Sequence, residues 1–352
     1  MLLEGIFPAV TTPFYGNGSL YLRKLEHNVE RYSRTPASGL VVLGSTGEAV
    51  LLDDAEAREV LRTAALAAAP EKVLLAGVGQ ASAIATIRMA EFAATAGYDA
   101  ALVRTPNYYA PHMSPLAMLT YFRTVADHSP IPVVLYSIPK FTHYELPVGL
   151  IAELAHHGNI IGLKDSSGNV ERIAAATAAT REAPRRTVTV TPVFAPVTGR
   201  MQAAAVVRSG PAGSLVTIAG QGGTAVAQPV ASTLRTRTRE VGFQVLCGAA
   251  DKLLASLEAG ASGGVLALAA CAPQACHEMY IAWKEGDGPL AAEKQARLVS
   301  ASGTVVNQLG IPGIKHACDL NGYFGGGGRL PLLGLTGEER AEVAGVMRDL
   351  RN

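Results

Sequence analysis

The chain has 352 residues, 49% of them apolar and 17% charged, with a formal net charge of +1. That much apolar material supports a large core and excludes an intrinsically disordered chain. The near-neutral balance excludes nucleic acid or an anionic membrane as a partner recognised through global charge.

The opening Met1-Leu2-Leu3-Glu4-Gly5 has neither a basic segment nor a cleavable apolar stretch, so a cytoplasmic chain without a secretory leader is expected. Short apolar, β-like runs follow at 5–12, 40–43, 73–78, 100–103, 132–136, 160–164, 243–247 and 264–268. Between them lie segments rich in Ala, Leu, Glu and Arg. In 53–69 Asp53 can cap a helix whose Ala55, Val60, Leu61, Ala64 and Leu66 fall at helical spacing. Segments 82–96, 114–128 and 147–156 read the same way. Strands alternating with helices imply βαβ units and a parallel sheet. Eight such units predict an α/β fold, a (β/α)8 TIM barrel over residues 1–272. A doubly wound open sheet is the structural alternative, but no GxGxxG follows the first strand.

Residues from about 184 to 240 stand apart as an insertion. The stretch 184–239 carries arginines but no acidic residue, and its middle is rich in Ala, Gly, Val, Thr and Ser. Thr187-Val188-Thr189-Val190-Thr191 alternates as a strand does. Placed between the sixth helix and the seventh strand, the insertion is expected on the barrel's N-terminal face, opposite to where barrel active sites sit. A surface or oligomer contact is its expected role, because a nucleic-acid groove would want aromatic stacking partners.

The uncharged run 259–272 is short and holds Gly260, Gly263 and Gly264, which reads as a buried strand and loop and not as a membrane span. Beyond it, 273–284, 291–309, 312–320 and 336–351 read as helices without intervening strands, a helical C-terminal domain over 273–352. The glycine run 325–328 is a turn within it; no Lys-Ser/Thr follows, as a P-loop would need. Cys247, Cys271, Cys276 and Cys318 show no CxxC spacing, and the eight histidines show no HExxH, so neither disulfides nor a metal are expected.

Several polar residues fall at the C-terminal ends of different strands. Gly44-Ser45-Thr46-Gly47-Glu48 follows the second, with two hydroxyls and exposed amides suited to a small carboxylate. Thr105-Pro106-Asn107-Tyr108-Tyr109 follows the fourth, Tyr136-Ser137-Ile138-Pro139 ends the fifth, and Lys164 ends the sixth. A lysine at a strand end is ordinarily solvated or ion-paired. Among apolar neighbours, burial disfavours an ammonium and favours the free amine that attacks carbonyls. Lys164 would condense with a ketone, the phenol of Tyr136 would carry protons, and Ser45 and Thr46 would hold the carboxylate of a 2-oxo acid.

These four segments, in this order and spacing, resemble the pyruvate-dependent class I aldolase family that contains dihydrodipicolinate synthase and N-acetylneuraminate lyase. Within it, the chain looks closest to 4-hydroxy-2-oxoglutarate aldolase, through residues 126–137, 243–248, 309–315 and 322–326. The resemblance implies a Schiff-base lysine at Lys164, a proton-shuttling phenol at Tyr136 and a hydroxyl relay at Ser45. It implies a relay tyrosine at Tyr108, with Tyr109 as the alternative, contributed across a dimer interface. It further implies substrate contacts at Thr46, with Gly44 and Gly47 beside it, at the Leu266 carbonyl and at Gly248. No cofactor beyond the lysine imine is implied, and the expected partners are a 2-oxo acid, an aldehyde and further copies of the chain, as a homodimer or homotetramer.

The implied reaction is reversible cleavage of 4-hydroxy-2-oxoglutarate to pyruvate and glyoxylate. The alternatives are condensation of pyruvate with aspartate semialdehyde, another 2-oxo-acid aldolase or dehydratase reaction, and a non-catalytic 2-oxo-acid-binding scaffold. Dihydrodipicolinate synthases carry a carboxylate-binding arginine two residues after the proline that follows the strand-five tyrosine. Phe141 stands there in this chain, and a phenyl ring makes no bidentate carboxylate contact. Thr46 likewise departs from the Ser-Asn pair of the hydroxyoxoglutarate enzymes.

Overall fold

A computed structural model describes residues 1–209 and 234–350. Its main sheet contains β1 (Gly5–Pro8), β2 (Gly39–Val42), β3 (Val73–Gly77), β4 (Ala100–Arg104), β5 (Val133–Ser137) and β6 (Ile160–Asp165). A separate pair, β7 (Arg186–Val190) and β8 (Arg237–Val241), precedes the last two strands of the main sheet, β9 (Gln244–Cys247) and β10 (Gly263–Leu266). The eight main strands are parallel and run in the order β1-β10-β9-β6-β5-β4-β3-β2. The Ser38 amide to the Ile6 carbonyl (2.9 Å) and the Val10 amide to the Val41 carbonyl (2.9 Å) join the two ends. The (β/α)8 barrel expected from the alternation of elements is therefore the observed fold.

Helices α1 (Leu22–Ser33), α2 (Asp54–Ala67), α3 (Ala83–Thr95), α4 (Pro115–His128), the single turn α5 (Pro139–Thr142), α6 (Val148–Ala155) and α7 (Val170–Ala179) fill the connections. Their starts follow from local chemistry. Asp53 and Glu56 close a capping box on α2, and Ser82 and Ser114 accept from the third amides of α3 and α4. Strands covered on both faces read as continuous apolar runs. Leu3, Phe7, Val41, Leu75, Leu102, Val134 and Val265 form the lumen cluster, while Ile6, Leu40, Leu74, Val103 and Leu135 pack outward against the helices.

One irregularity sets the parity of β6. The ladder with β5 passes from Val133↔Ile160 to Val134↔Gly162, so Ile161 is an extra residue. Such a bulge shifts every later side chain to the other face. Ile161 lies in the lumen cluster, Leu163 outside it, and Lys164 comes level with Tyr136.

β7 and β8 pair antiparallel, and Val188, Val190 and Val241 pack on Leu2, ahead of the first strand. Arg186 donates to the carbonyls of His157, Gly158 and Ile160, where β6 begins. α8 (Gly199–Ser209) follows β7, and Arg200 donates to the carbonyls of Ala68 and Lys72, ahead of β3. These described parts of the arm thus cover the ends at which the strands start. The rest of the arm's middle lies outside the described residues. Between β9 and β10 sits α9 (Leu253–Glu258), and after them come α10 (Pro273–Lys284), α11 (Gly288–Ala301), a π-helical turn Ser302–Gln308, α12 (Gly310–Leu320) and α13 (Gly337–Val346). No helix among the described residues is long and apolar enough to cross a membrane.

Candidate active site

A cavity of about 340 Å³ opens at the C-terminal ends of the barrel strands, where this architecture carries its chemistry. Lys164 and Tyr136 stand side by side on β6 and β5 and are both 4% exposed. The Lys164 amine lies over the Tyr136 ring, 4.1 Å from its centroid. The Tyr136 hydroxyl is 3.3 Å from Ser45 Oγ, so amine, phenol and serine follow one another along one wall. Among the described residues, no carboxylate pairs with the Lys164 amine. The adjacent Asp165 is committed elsewhere: its carboxylate accepts from Arg172 Nε (2.7 Å) and from the Ser167 amide and hydroxyl (2.9 and 2.5 Å).

Ser45 and Thr46 lie on a 3-10 turn, Ser45–Gly47, bracketed by two non-glycine residues with positive φ, Leu43 at 60° and Glu48 at 55°. Each such residue costs on the order of 1–3 kcal/mol, so the surroundings must enforce the turn's shape. The turn's first amides, those of Ser45 and Thr46, donate to no group among the described residues, leaving donors for an anion beside the two hydroxyls. Gly47 is held from below, its carbonyl accepting from the Thr12 hydroxyl at 2.6 Å. Gly44 begins the turn; neither glycine lines the cavity.

Gly248 reaches the cavity for a steric reason. Its amide donates to the Asp165 carbonyl (2.7 Å), and a Cβ there would stand 1.9 Å from Ser166 Oγ. Only glycine lets the chain after β9 approach the end of β6 so closely.

Two expectations meet a different arrangement. The Leu266 carbonyl, expected near the imine, accepts the Ala9 amide inside the barrel wall (3.1 Å), and the following Ala267 and Leu268 line the cavity instead. Tyr108 and Tyr109 pack edge to face but are 81% and 64% exposed, and neither lines the cavity of its own chain. In the single chain this loop after β4 leaves both rings largely in solvent.

Phe141, which the sequence places where relatives carry an arginine, lines the cavity from α5 together with Lys140. Missed from sequence were Lys252 and Asp251, from the turn after β9, and Val306, Asn307 and Ile311, from the C-terminal helices. Lys140 Nζ bonds the Asn307 carbonyl at 3.4 Å, a contact across 167 residues that no local pattern announces. Arg104, at the end of β4 opposite Tyr136, was also overlooked. Burial lowers its guanidinium pKa, and the phenols of Tyr121 and Tyr136 oppose that shift. Among the described residues no group of three or more His, Cys, Asp or Glu is arranged to hold a metal.

The profile of the dihydrodipicolinate synthetase family matches residues 2–184 and 224–350. A 4-hydroxy-tetrahydrodipicolinate synthase from Methanothrix thermoacetophila is 29% identical over 98% of this chain and 96% of its own length. One from Cereibacter sphaeroides is 28% identical over 99% and 98%. Among solved structures, a dihydrodipicolinate synthase from Bacillus anthracis superposes with a TM-score of 0.78 at 23% identity, covering 99% of both chains. A prophage protein of the dihydrodipicolinic acid synthase family from E. coli K12, solved with pyruvate, gives 0.77 at 24% identity and the same coverage. With the barrel, the buried lysine–tyrosine pair and this match along nearly the whole length, the chain belongs to the dihydrodipicolinate synthetase family and is an enzyme of the class I, lysine Schiff-base aldolase type.

Proposed function

We propose that the protein cleaves 4-hydroxy-2-oxoglutarate reversibly to pyruvate and glyoxylate through an imine on Lys164. The observation that carries the reading is the chain of contacts from the Lys164 amine over the Tyr136 ring to Ser45 Oγ, all on one cavity wall. Lys164 adds to the C2 ketone and water leaves, giving an iminium ion. The Tyr136 phenol, hydrogen-bonded to Ser45, gives its proton to the departing hydroxyl, which leaves as that water, and the phenolate so formed takes the proton from the C4 hydroxyl. The C3–C4 bond breaks, glyoxylate departs as its aldehyde forms, and the bonding electrons pass into an enamine. Protonation of C3 and hydrolysis of the imine release pyruvate and restore the amine. Ser45, Thr46 and their amides hold the C1 carboxylate throughout, with Gly44 and Gly47 shaping that turn and Gly248 admitting the substrate beside β6.

The choice of the second substrate half rests on the rim. Phe141 replaces the arginine that would bind the carboxylate of aspartate semialdehyde, while Lys140 and Lys252, the latter beside Asp251, supply cations for a distal carboxylate. Condensation with aspartate semialdehyde is the second reading, supported by the names of the full-length relatives. We further propose a homodimer or a tetramer built from dimers, in which the exposed Tyr108 reaches the hydroxyl turn of a partner copy, with Tyr109 the alternative. In the proposed organisation a barrel of residues 1–272, interrupted at about 184–240, carries the chemistry and 273–352 covers one side of its mouth.

A substrate panel tests the reading: pyruvate release from 4-hydroxy-2-oxoglutarate, against pyruvate consumption with aspartate semialdehyde and with sugar-acid aldehydes. The first should dominate in kcat/KM. Preference for aspartate semialdehyde would transfer the assignment to the second reading.

A further inference from the structure

The glycine run 325–328 forms a strap that joins the C-terminal helices to the hydroxyl turn. The Gly325 amide donates to Asp319 Oδ1 at 2.8 Å, and a Cβ on Gly325 would stand 1.8 Å from the Lys315 carbonyl. At Gly325 the strap therefore lies on α12 with no room for a side chain. Two residues on, the Gly327 carbonyl accepts Lys315 Nζ at 2.7 Å, and the Arg329 amide then donates to Glu48 Oε2 at 2.8 Å. Lys315 Nζ also stands 2.5 Å from Glu48 Oε1, and both side chains are 0% exposed. Outside this pair, the Arg329 guanidinium fastens the strap to the barrel through both carboxylate oxygens of Glu56 and the carbonyls of Gly18 and Leu51.

Glu48 is the left-handed residue that ends the Ser45–Gly47 turn. Among the described residues, the groups that bond its carboxylate all come from the last forty residues of the chain, about 270 positions away in sequence. A buried ion pair is weak evidence for added stability, and its best-attested use is to fix one arrangement. The arrangement fixed here is that of the turn carrying the free amides and the two hydroxyls.

We propose that Glu48, Lys315 and the strap through Arg329 are positioning residues for the 2-oxo acid's carboxylate. They hold the strained turn in its anion-binding shape, so the C-terminal helices set affinity for the keto acid through the Glu48 contact. This rests on the reading of the cavity as the site of a Lys164–pyruvate imine.

The test is reductive trapping on the full chain with cyanoborohydride, varying pyruvate and, in parallel, acetone, which has the ketone but no carboxylate. The variants are Arg329→Gln, which loosens the strap and leaves the buried pair, and Glu48→Gln with Lys315→Met, which removes both charges at similar volume. Both should raise the half-saturating pyruvate concentration about 10- to 100-fold, the scale of a displaced binding group, with acetone labelling of Lys164 within about threefold of the parent. Unchanged half-saturation for pyruvate, or an equal loss with both ketones, would overturn the positioning role while leaving the imine reading intact. If the parent protein acquires no label from pyruvate, the imine reading falls and the proposal falls with it. Should the double variant not fold, Arg329→Gln alone decides, because its side chain lies outside the buried pair.

Discussion

Lys164 and Tyr136 are level with each other on neighbouring strands, and the amine of the first sits 4.1 Å above the ring of the second. Lys164→Ala removes the nucleophile from a site that keeps its walls. Borohydride trapping with pyruvate, read by intact mass, should give an adduct in the parent and none in the variant, with turnover lower by several orders of magnitude. Turnover retained by a folded variant would defeat the imine mechanism.

Tyr136→Phe deletes only the phenol oxygen. The rate should fall about 10²–10⁴-fold, the usual contribution of a positioned acid/base. Ser45→Ala, which removes one hydrogen-bond partner of that phenol, should cost about tenfold. Because both side chains serve one proton path, kcat of the double variant should be little below that of Tyr136→Phe alone, while the carboxylate contact of Ser45 appears in KM. Steady-state kinetics of the four proteins measure this, and fully multiplicative losses in kcat would take Ser45 out of the proton path.

Lys140→Ala and Lys252→Ala probe the distal carboxylate. Both lysines are exposed at the rim, and exposed charge pairs contribute modestly, so KM for 4-hydroxy-2-oxoglutarate should rise about two- to fivefold with pyruvate trapping unaffected. A rise that vanishes at high salt would support the electrostatic origin. No change in KM at low salt would remove these lysines from the account of specificity.

Gly248→Ala places a methyl group where Ser166 Oγ and the Asp165 carbonyl already stand. The overpacking should cost about 1–3 kcal/mol, lowering Tm by several degrees in a scan. An unaltered Tm would mean that the ends of β6 and β9 separate readily.

The four cysteines are free and buried. Burial pushes the Cys247 thiol up to about 11 and Cys276 to about 12, so the reactive thiolate is scarce in the native state at pH 8. Alkylation should label none of them natively and all four in denaturant. The folded state holds these protons more tightly than the unfolded chain, where thiols titrate near about 8.5. Their stabilising contribution is therefore complete below that value and is lost as pH rises toward 11, which alkaline melts should register as falling Tm. Native labelling at pH 8 would show that the core opens.

The barrel was legible because its evidence is local. Short apolar runs bounded by caps and turns gave the eight strands, and the ends of those runs held Ser45, Tyr136, Lys164 and Gly248, which the structure places around one cavity. What stayed hidden depends on contacts without local signature. Nothing in Ile160-Ile161-Gly162 announces which residue bulges, although that bulge decides where Lys164 points. Lys315 reads as one more lysine on an amphipathic helix, and only the fold brings it to Glu48. Tyr108 shows the converse: its motif is plain in sequence, yet this chain alone leaves the ring in water. The antiparallel partner of β7, Arg237–Val241, was hidden by its charged composition, which an exposed two-stranded ribbon tolerates.

The ribbon of β7 and β8 closes the floor of the barrel over Leu2, with the reacting groups at the roof. Geometry of this kind separates inheritance: the floor can lengthen, shorten or acquire a new neighbour while the roof keeps its chemistry. For anyone wishing to attach a reporter or a surface anchor to this enzyme, the face that carries this ribbon is where the catalyst has the least to lose.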